Sequence, residues 1–523
     1  MLIENVFQVG GNIKSAFIFF SLFVVISKFY HKTLFSDQNF YRCYNATMTT
    51  FIFGLLILLF GYIFYSRYTE SQFEITEENT PAKRINDGVD FIPLSDNKNM
   101  LIHLLNIAGL GPILGAIQGI LFGPIAFILI PTGCIFMGAV HDYFSGMISV
   151  RNNGAQITEL IKKYLGDNFY RCFIVIVSVM LLLLASVFVY TAGDLMAERF
   201  FKQSDFSLSN PIVLTIYFLI AAYYILATLF PIDKIIGRFY PFFGLLLLTG
   251  TALVLVGFFY NGVQIQNLDF INLNQHPLKM HILPMFFMTV SCGLLSGFHS
   301  TQATIISRTL KTEKEGRKVF YGMMCLESLI AMIWAAGAMH VYSLNLVPEN
   351  IIGTANVINS IADAFVLPAL TFIVTIAVVV LPVTSGDTAL RGLRMILGEA
   401  FKLNQSSIKN RLLIIVPISL IIIGIILWAK TNDGSFSLVW RYFNFANQLI
   451  AVPTFLYATV YLYKNKKNYF ITLIPGAFYI FITLSFILNN KIGFNLSYNV
   501  SEITALVVTF ISIVLLFKYK LKG

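Results

Sequence analysis

Apolar runs of about 20 residues, separated by short polar connections, recur from one end of the chain to the other. Coiled as a helix, a run of that length spans the hydrocarbon core of a bilayer, so each predicts a transmembrane helix. The runs lie near 13–30, 46–66, 101–122, 124–149, 171–192, 211–230, 239–259, 281–300, 319–341, 363–385, 411–428, 446–463, 469–488 and 501–519. They predict an all-α polytopic membrane protein with about 14 transmembrane helices. The first run, Ile13–Phe29, follows Glu4 and has no small-residue cleavage site after it, so a retained helix is expected rather than a signal peptide. The longest gap, 67–100, is about 34 residues and leaves no room for a soluble catalytic domain.

Composition narrows the class. Of 523 residues, 57% are hydrophobic and 12% charged, against roughly 25% charged in soluble proteins. A soluble enzyme, a disordered chain and a disulfide-stapled secreted domain are excluded. The five Cys, at 43, 134, 172, 292 and 325, show no CxxC spacing and read as small apolar helix residues, not as metal ligands or a redox pair. The net charge of +10 would suggest a nucleic-acid partner in a soluble protein. Here the basic residues sit in short loops and report topology instead. With the N-terminus inside, the inside segments hold 27 Lys and Arg and the outside segments 9, together all 36. That asymmetry predicts both termini in the cytoplasm.

Two runs are unlike the rest. The third reads HLLNIAGLGPILGAIQG, with Gly109, Gly111, Pro112, Gly115 and Gly119; the eighth reads MTVSCGLLSGFHSTQAT, with Gly293, Ser296, Gly297, His299, Ser300 and Thr301. Gly weakens a helix and Pro removes a hydrogen bond. In lipid the freed backbone must line a cavity or meet protein. Interrupted helices at matching places in two halves point to a transporter binding site. The third helix enters from inside and the eighth, five helices later, from outside. That is the arithmetic of a 5+5 inverted repeat, helices 3–7 against helices 8–12. Residues 1–78 would hold two flanking helices, 79–260 and 261–465 the repeats, and 466–523 the last two helices. The alternative is that these glycines only let helices pack closely.

Intramembrane charge is costly and marks function by default. Asp142 lies late in the fourth helix, Glu327 about two turns into the ninth, and Asp387 near the cytoplasmic end of the tenth. The alternatives are ion pairs or caps that lock helices together. Asp387 stands four residues before Arg391, a helical salt-bridge spacing. The hydroxyls of Thr384, Ser385 and Thr388 can coordinate a cation or bond back to their own helix. His103, His141 and His299 flank or sit in the special segments, and an imidazole titrating near neutrality suits proton coupling. A polar His lining a wet cavity is the plainer alternative. No zinc, P-loop, GxSxG or Rossmann spacing occurs. Neither an ATP-driven pump nor a membrane hydrolase has support in the sequence.

Longer stretches carry a resemblance. TPAKRINDGVDFIP (Thr80 to Pro93), HLLNIAGLGPILG (His103 to Gly115), GAVHDYFSGMISVRNNGAQITELIKKYLG (Gly138 to Gly166), CGLLSGFHS (Cys292 to Ser300), YGMMCLES (Tyr321 to Ser328) and LVWRYFNFANQLIA (Leu438 to Ala451) occur in this order. They are similar to the bacterial carbon starvation protein A (CstA) family, which usually has Gln where this chain has His141. The resemblance implies a secondary transporter of small nutrients, peptides or pyruvate, proton-coupled in the best-understood members. It implies an APC-like (LeuT-like) core. It carries over to Gly109, Gly111, Pro112, Gly115, Asp142, Gly293, Gly297, His299, Glu327, Asn447 and Gln448, and with a small shift to Asp387. The chain is shorter than the long members of the family.

The expected mechanism is alternating access in the bacterial plasma membrane around Gly109–Pro112 and Ser296–Ser300. Positive half-helix ends would hold a substrate carboxylate. Gly109, Gly111, Pro112, Ser296, Gly297, His299, Ser300, Asn447 and Gln448 are the candidate substrate residues. Asp142, Glu327, His299, Thr384, Ser385 and Asp387 are the candidates for coupling a proton, or sodium between the carbonyls near Ala108 and the hydroxyls of Thr384 and Ser385. No other cofactor, no metal, no nucleic acid and no enzymatic activity are expected. The rival reading is a membrane sensor that binds the nutrient without moving it.

Overall fold

The computed structural model describes residues 48–521, apart from 204, 231–235, 264, 346–354, 406 and 433. The expected helix 13–30 and Cys43 lie outside the described residues. No strand occurs among the described residues. The helices are α1 (Thr49–Ser71), α2 (Asp96–Ile107), α3 (Gly111–Phe122), α4 (Ala126–Arg151), α5 (Ile157–Leu165), α6 (Asp167–Phe201), α7 (Pro211–Leu229), α8 (Tyr240–Asn261) and α9 (Ile282–Thr289). They continue as α10 (Phe298–Ile306), α11 (Glu313–Ser343), α12 (Ala355–Phe365), α13 (Pro368–Ala400), α14 (Ile408–Thr431), α15 (Leu438–Lys464), α16 (Phe470–Asn489) and α17 (Tyr498–Leu521).

Among the described residues, 11 helices are long and apolar enough to cross a membrane, and up to 12 spans result if the bent pair α2–α3 counts as one. The eighth expected span is instead two short helices, α9 and α10, of 8 and 9 residues. The short helices α5 and α12 were not expected. Each buries one side only, and neither is long or apolar enough to register as a membrane run.

Local chemistry explains the bend of 51° between α2 and α3. Helix α2 stops because Ala108 turns to φ −77°, ψ 68°. That is an inverse γ-turn, closed by the Gly109 N–H on the Ile107 carbonyl at 2.8 Å. Pro112 then sits in the first turn of α3, where its missing N–H costs nothing. Helix α9 ends the same way, with Val290 at φ −89°, ψ 70°.

Helices α15 and α11 are central, with 89% and 83% of their apolar stretch buried; α17 and α1, at 22% and 28%, are peripheral. Helix α11 packs along α3, α4 against both α10 and α15, and α13 along α6. The two interruptions are therefore enclosed by helices on all sides, which is where freed backbone groups find partners.

Candidate functional site

Asp142, His299 and Glu327 come from three separate runs and meet in the interior. A wide π turn at Cys134–Gly138 precedes His141 and Asp142 on α4, a distortion frequent at functional sites. His299 lies in the first turn of α10, and Glu327 on α11. The Asp142 carboxylate pairs through Oδ2 with His299 Nδ1 at 3.0 Å and through Oδ1 with His141 Nδ1 at 2.9 Å. With Asp142 ionised and both rings neutral, each imidazole carries its proton on Nδ1 and turns a lone pair outward at Nε2. His299 Nε2 lies 3.6 Å from Glu327 Oε2. Neither that nitrogen nor either Glu327 oxygen has a hydrogen-bond partner, and the side chains are fully buried. The Ile107 carbonyl, at the end of α2, also approaches the ring. With Glu327 ionised, two acceptors face each other in a low-dielectric space, and a proton or another cation between them satisfies both. The sulfur of Cys292 lies within 4.8 Å of the ligand atoms of His299 and Glu327. From sequence this thiol reads as apolar packing, and only the fold brings it to the carboxylate.

The interruptions are held by packing and by α15. Gly111, Gly115 and Gly119 form one face of α3; a Cβ there would meet Cys292 Sγ at 2.1 Å, the Thr289 carbonyl at 2.9 Å and Val290 at 2.5 Å. That face lies on the end of α9, so the two interrupted helices touch through glycine. At Gly109 a Cβ would meet the Phe188 ring at 2.7 Å. Asn447 Oδ1 accepts from the Phe298 N–H at 2.8 Å and from the Ser296 hydroxyl at 3.1 Å, capping α10. Gln448 Nε2 donates to the carbonyls of Phe287 and Leu295. Ser300 donates to the Gly297 carbonyl, one turn back. Asn447 Nδ2 and Gln448 Oε1 stay without partners, as do both polar side-chain atoms of Asn106 and of His103 on α2. Asn106 was not singled out from the sequence, where one Asn in an apolar run carries no spacing signal.

Asp387, Thr384 and Ser385 lie elsewhere, on α13. Asp387 accepts from the Tyr223 hydroxyl at 2.6 Å and from the Tyr240 hydroxyl. The four-residue spacing to Arg391 does not become an ion pair. Arg391 turns to Asp90 at 3.2 Å and to the carbonyls of Ala227 and Phe230. Thr384 and Thr388 bond back to their own helix, while Ser385 donates to the Leu105 carbonyl of α2 at 3.0 Å.

Gly297 faces α15. A Cβ there would lie 2.0 Å from the Asn447 carbonyl oxygen and 2.7 Å from Ala451 N, so any side chain pushes α10 off α15. Overpacking of this kind costs about 1–3 kcal/mol. Gly297→Leu is therefore expected to lower the thermal stability of the solubilised protein, read as its melting temperature. An unchanged melting temperature would show that the α10–α15 contact is dispensable.

Comparisons with known proteins agree in direction. The carbon starvation protein CstA family matches residues 46–214, 189–371 and 341–486. An uncharacterized membrane protein of Haemophilus influenzae is 39% identical, the alignment covering 57% of this chain and 92% of that protein. Peptide transporter CstA of Helicobacter pylori is 23% identical, over 56% of this chain and 51% of its own length. Pyruvate/proton symporter BtsT of Escherichia coli is 25% identical, over 53% and 47%. The chain spans about half the length of these two named transporters. Among solved structures, MhsT in complex with L-phenylalanine superposes with a TM-score of 0.55 at 16% identity, covering 80% of this chain and 99% of that one. A mutant of the Eremococcus coleocola manganese transporter gives a TM-score of 0.51 at 11% identity, covering 83% and 97%. At such identities the likeness establishes a shared fold and nothing more.

Proposed function

Since this multi-pass membrane protein belongs to the carbon starvation protein CstA family, we propose that it is a secondary active transporter that takes up small carboxylate-bearing nutrients, peptides or pyruvate, together with a proton. The observation that carries the coupling is the partnerless face between His299 Nε2 and Glu327 Oε2 at 3.6 Å. A proton placed there turns two opposed acceptors into a donor and an acceptor. Asp142 fixes the His299 ring and, by accepting at Nδ1, keeps Nε2 available.

In this reading helices α2–α8 and α9–α15 are the two halves of a 5+5 inverted repeat, bounded near 79–260 and 261–465. Two likenesses support it. Each half opens on an interrupted helix whose first break residue has nearly the same φ and ψ, Ala108 and Val290. Each half also carries a short non-spanning helix after its second span, α5 and α12. Alternating access then moves one half against the other around the two breaks. The substrate carboxylate lies by the half-helix ends at Gly109–Pro112 and Ser296–Ser300, with Asn447 Nδ2 and Gln448 Oε1 as further contacts. The Lys and Arg distribution favours both termini in the cytoplasm.

A proton is favoured over sodium because the facing pair, His299 Nε2 and Glu327 Oε2 at 3.6 Å, is an imidazole and a carboxyl, both groups that exchange protons. The test is uptake of radiolabelled pyruvate and of a dipeptide into proteoliposomes, with and without an imposed pH gradient. Gradient-dependent accumulation of either supports symport. If neither accumulates while a thermal-shift screen finds a ligand, the sensor reading replaces it.

A further inference from the structure

We propose that Cys292, His299 and Glu327 form a three-ligand site for a transition-metal dication of the zinc type. Binding is inferred from this geometry alone; its consequence, inhibition, rests on the transport reading above. Three side chains from three places in the fold converge. Cys292 lies in the break between α9 and α10, His299 in the first turn of α10, and Glu327 on α11. Their ligand atoms all lie within 4.8 Å of one another, and all three residues are buried. Tetrahedral bonds of about 2.0–2.3 Å place donor atoms about 3.5 Å apart, so closure asks for movements of about 1 Å.

A second observation points to the same spot. His299 Nε2 and both Glu327 oxygens have no hydrogen-bond partner although they are fully buried. His299 is further set up as a ligand by its other nitrogen, which pairs with Asp142 at 3.0 Å. That carboxylate–histidine arrangement is the usual outer support of a metal-bound imidazole; it fixes the tautomer and strengthens the free lone pair. Room for the sulfur comes from Gly111, where any Cβ would lie 2.1 Å from Cys292 Sγ.

The donor set selects the ion. One sulfur, one nitrogen and one carboxylate suit zinc or cobalt(II), and leave a fourth position for water. Magnesium and calcium prefer six or more oxygens. A metal here ties the break of α9–α10 to α11 and occupies the face assigned to the proton. It therefore blocks transport.

The test uses the full chain in detergent, with Cys43, outside the described residues, and the exposed Cys172 replaced by Ser so that neither gives a signal. Titration with cobalt(II) is read by its thiolate charge-transfer absorption. The expected result is a band saturating at about one equivalent per chain, bleached by zinc, absent in Cys292→Ser, weakened in Glu327→Gln and retained in Cys134→Ser. In proteoliposomes, zinc inhibition of uptake, taken as the ratio with and without metal, is expected to fall at least about tenfold in Cys292→Ser, the loss of one soft ligand. No band, or a band that survives Cys292→Ser, overturns the site whatever uptake shows. A band with no uptake of any substrate keeps the metal site and removes the transport reading.

Discussion

Replacing Glu327 with Gln is expected to abolish accumulation driven by a pH gradient while leaving substrate exchange across the membrane. The amide has the shape of the carboxylic acid, and its NH2 can donate to His299 Nε2, which lies 3.6 Å from the carboxylate oxygen in the native protein. The variant thus holds permanently what a proton supplies transiently. Both lone-pair faces are satisfied, so the helices are not forced apart by an unpaired buried charge. A pH difference of one unit provides about 1.4 kcal/mol per proton, enough for about tenfold accumulation. The native protein should reach a ratio of that order in proteoliposomes and Glu327→Gln should stop at about one. Labelled substrate preloaded inside should still exchange with unlabelled substrate outside. Accumulation by the variant equal to the native protein would remove Glu327 from the coupling path.

Asp90→Asn is expected to give the largest loss of stability outside the site. Asp90 lies in the connection before α2 and pairs with Arg391 at 3.2 Å and Arg394 at 3.3 Å, both buried on α13. Breaking a buried pair by removing one partner costs about 3–5 kcal/mol, because the remaining charge keeps its desolvation cost. Arg391 retains two carbonyl acceptors and Arg394 retains Gln405, which favours the lower part of that range. Burial alone would push the Asp90 carboxyl up; Arg394, Arg391 and Arg308 outweigh it and hold it at about 2, below its ordinary 3.8. A carboxyl depressed in the folded state contributes stability that is present above its unfolded value and lost as pH falls through the folded one. The contribution of about 2.5 kcal/mol is therefore complete at neutral pH and fades between about pH 4 and 2. Melting curves of both proteins over a pH series check this. The native protein should melt higher at neutral pH, and the gap should close on acidification. A gap independent of pH would assign the loss to packing.

The spans were legible because a run of 20 apolar residues has few fates besides a membrane helix. The first interruption was legible because Gly-Leu-Gly-Pro removes helix stability and a donor at one place. The second was legible from its Gly and Ser content, although its form, two helices of 8 and 9 residues, was not. Partners were the hidden part. Asp387 has an attractive neighbour four residues on, yet it accepts from tyrosines on α7 and α8, more than 140 positions away. Arg391 bonds to Asp90 across 301 positions. Tertiary packing decides such pairs, and no local spacing records them. Cys292 is the clearest case. A thiol in an apolar run reads as filler until α10 and α11 bring His299 and Glu327 beside it. Asn447 and Gln448 became candidate substrate contacts through the family resemblance alone; the fold shows that each bonds to backbone around the second break.

The central claim is that substrate and proton cross together. It is tested most directly by loading proteoliposomes with a pH-sensitive dye, setting the same pH on both sides, and adding pyruvate or a dipeptide outside. The lumen should acidify in step with entry of the labelled substrate, and Glu327→Gln should abolish the acidification. Substrate entry at constant lumen pH, or entry that requires sodium, would contradict the account.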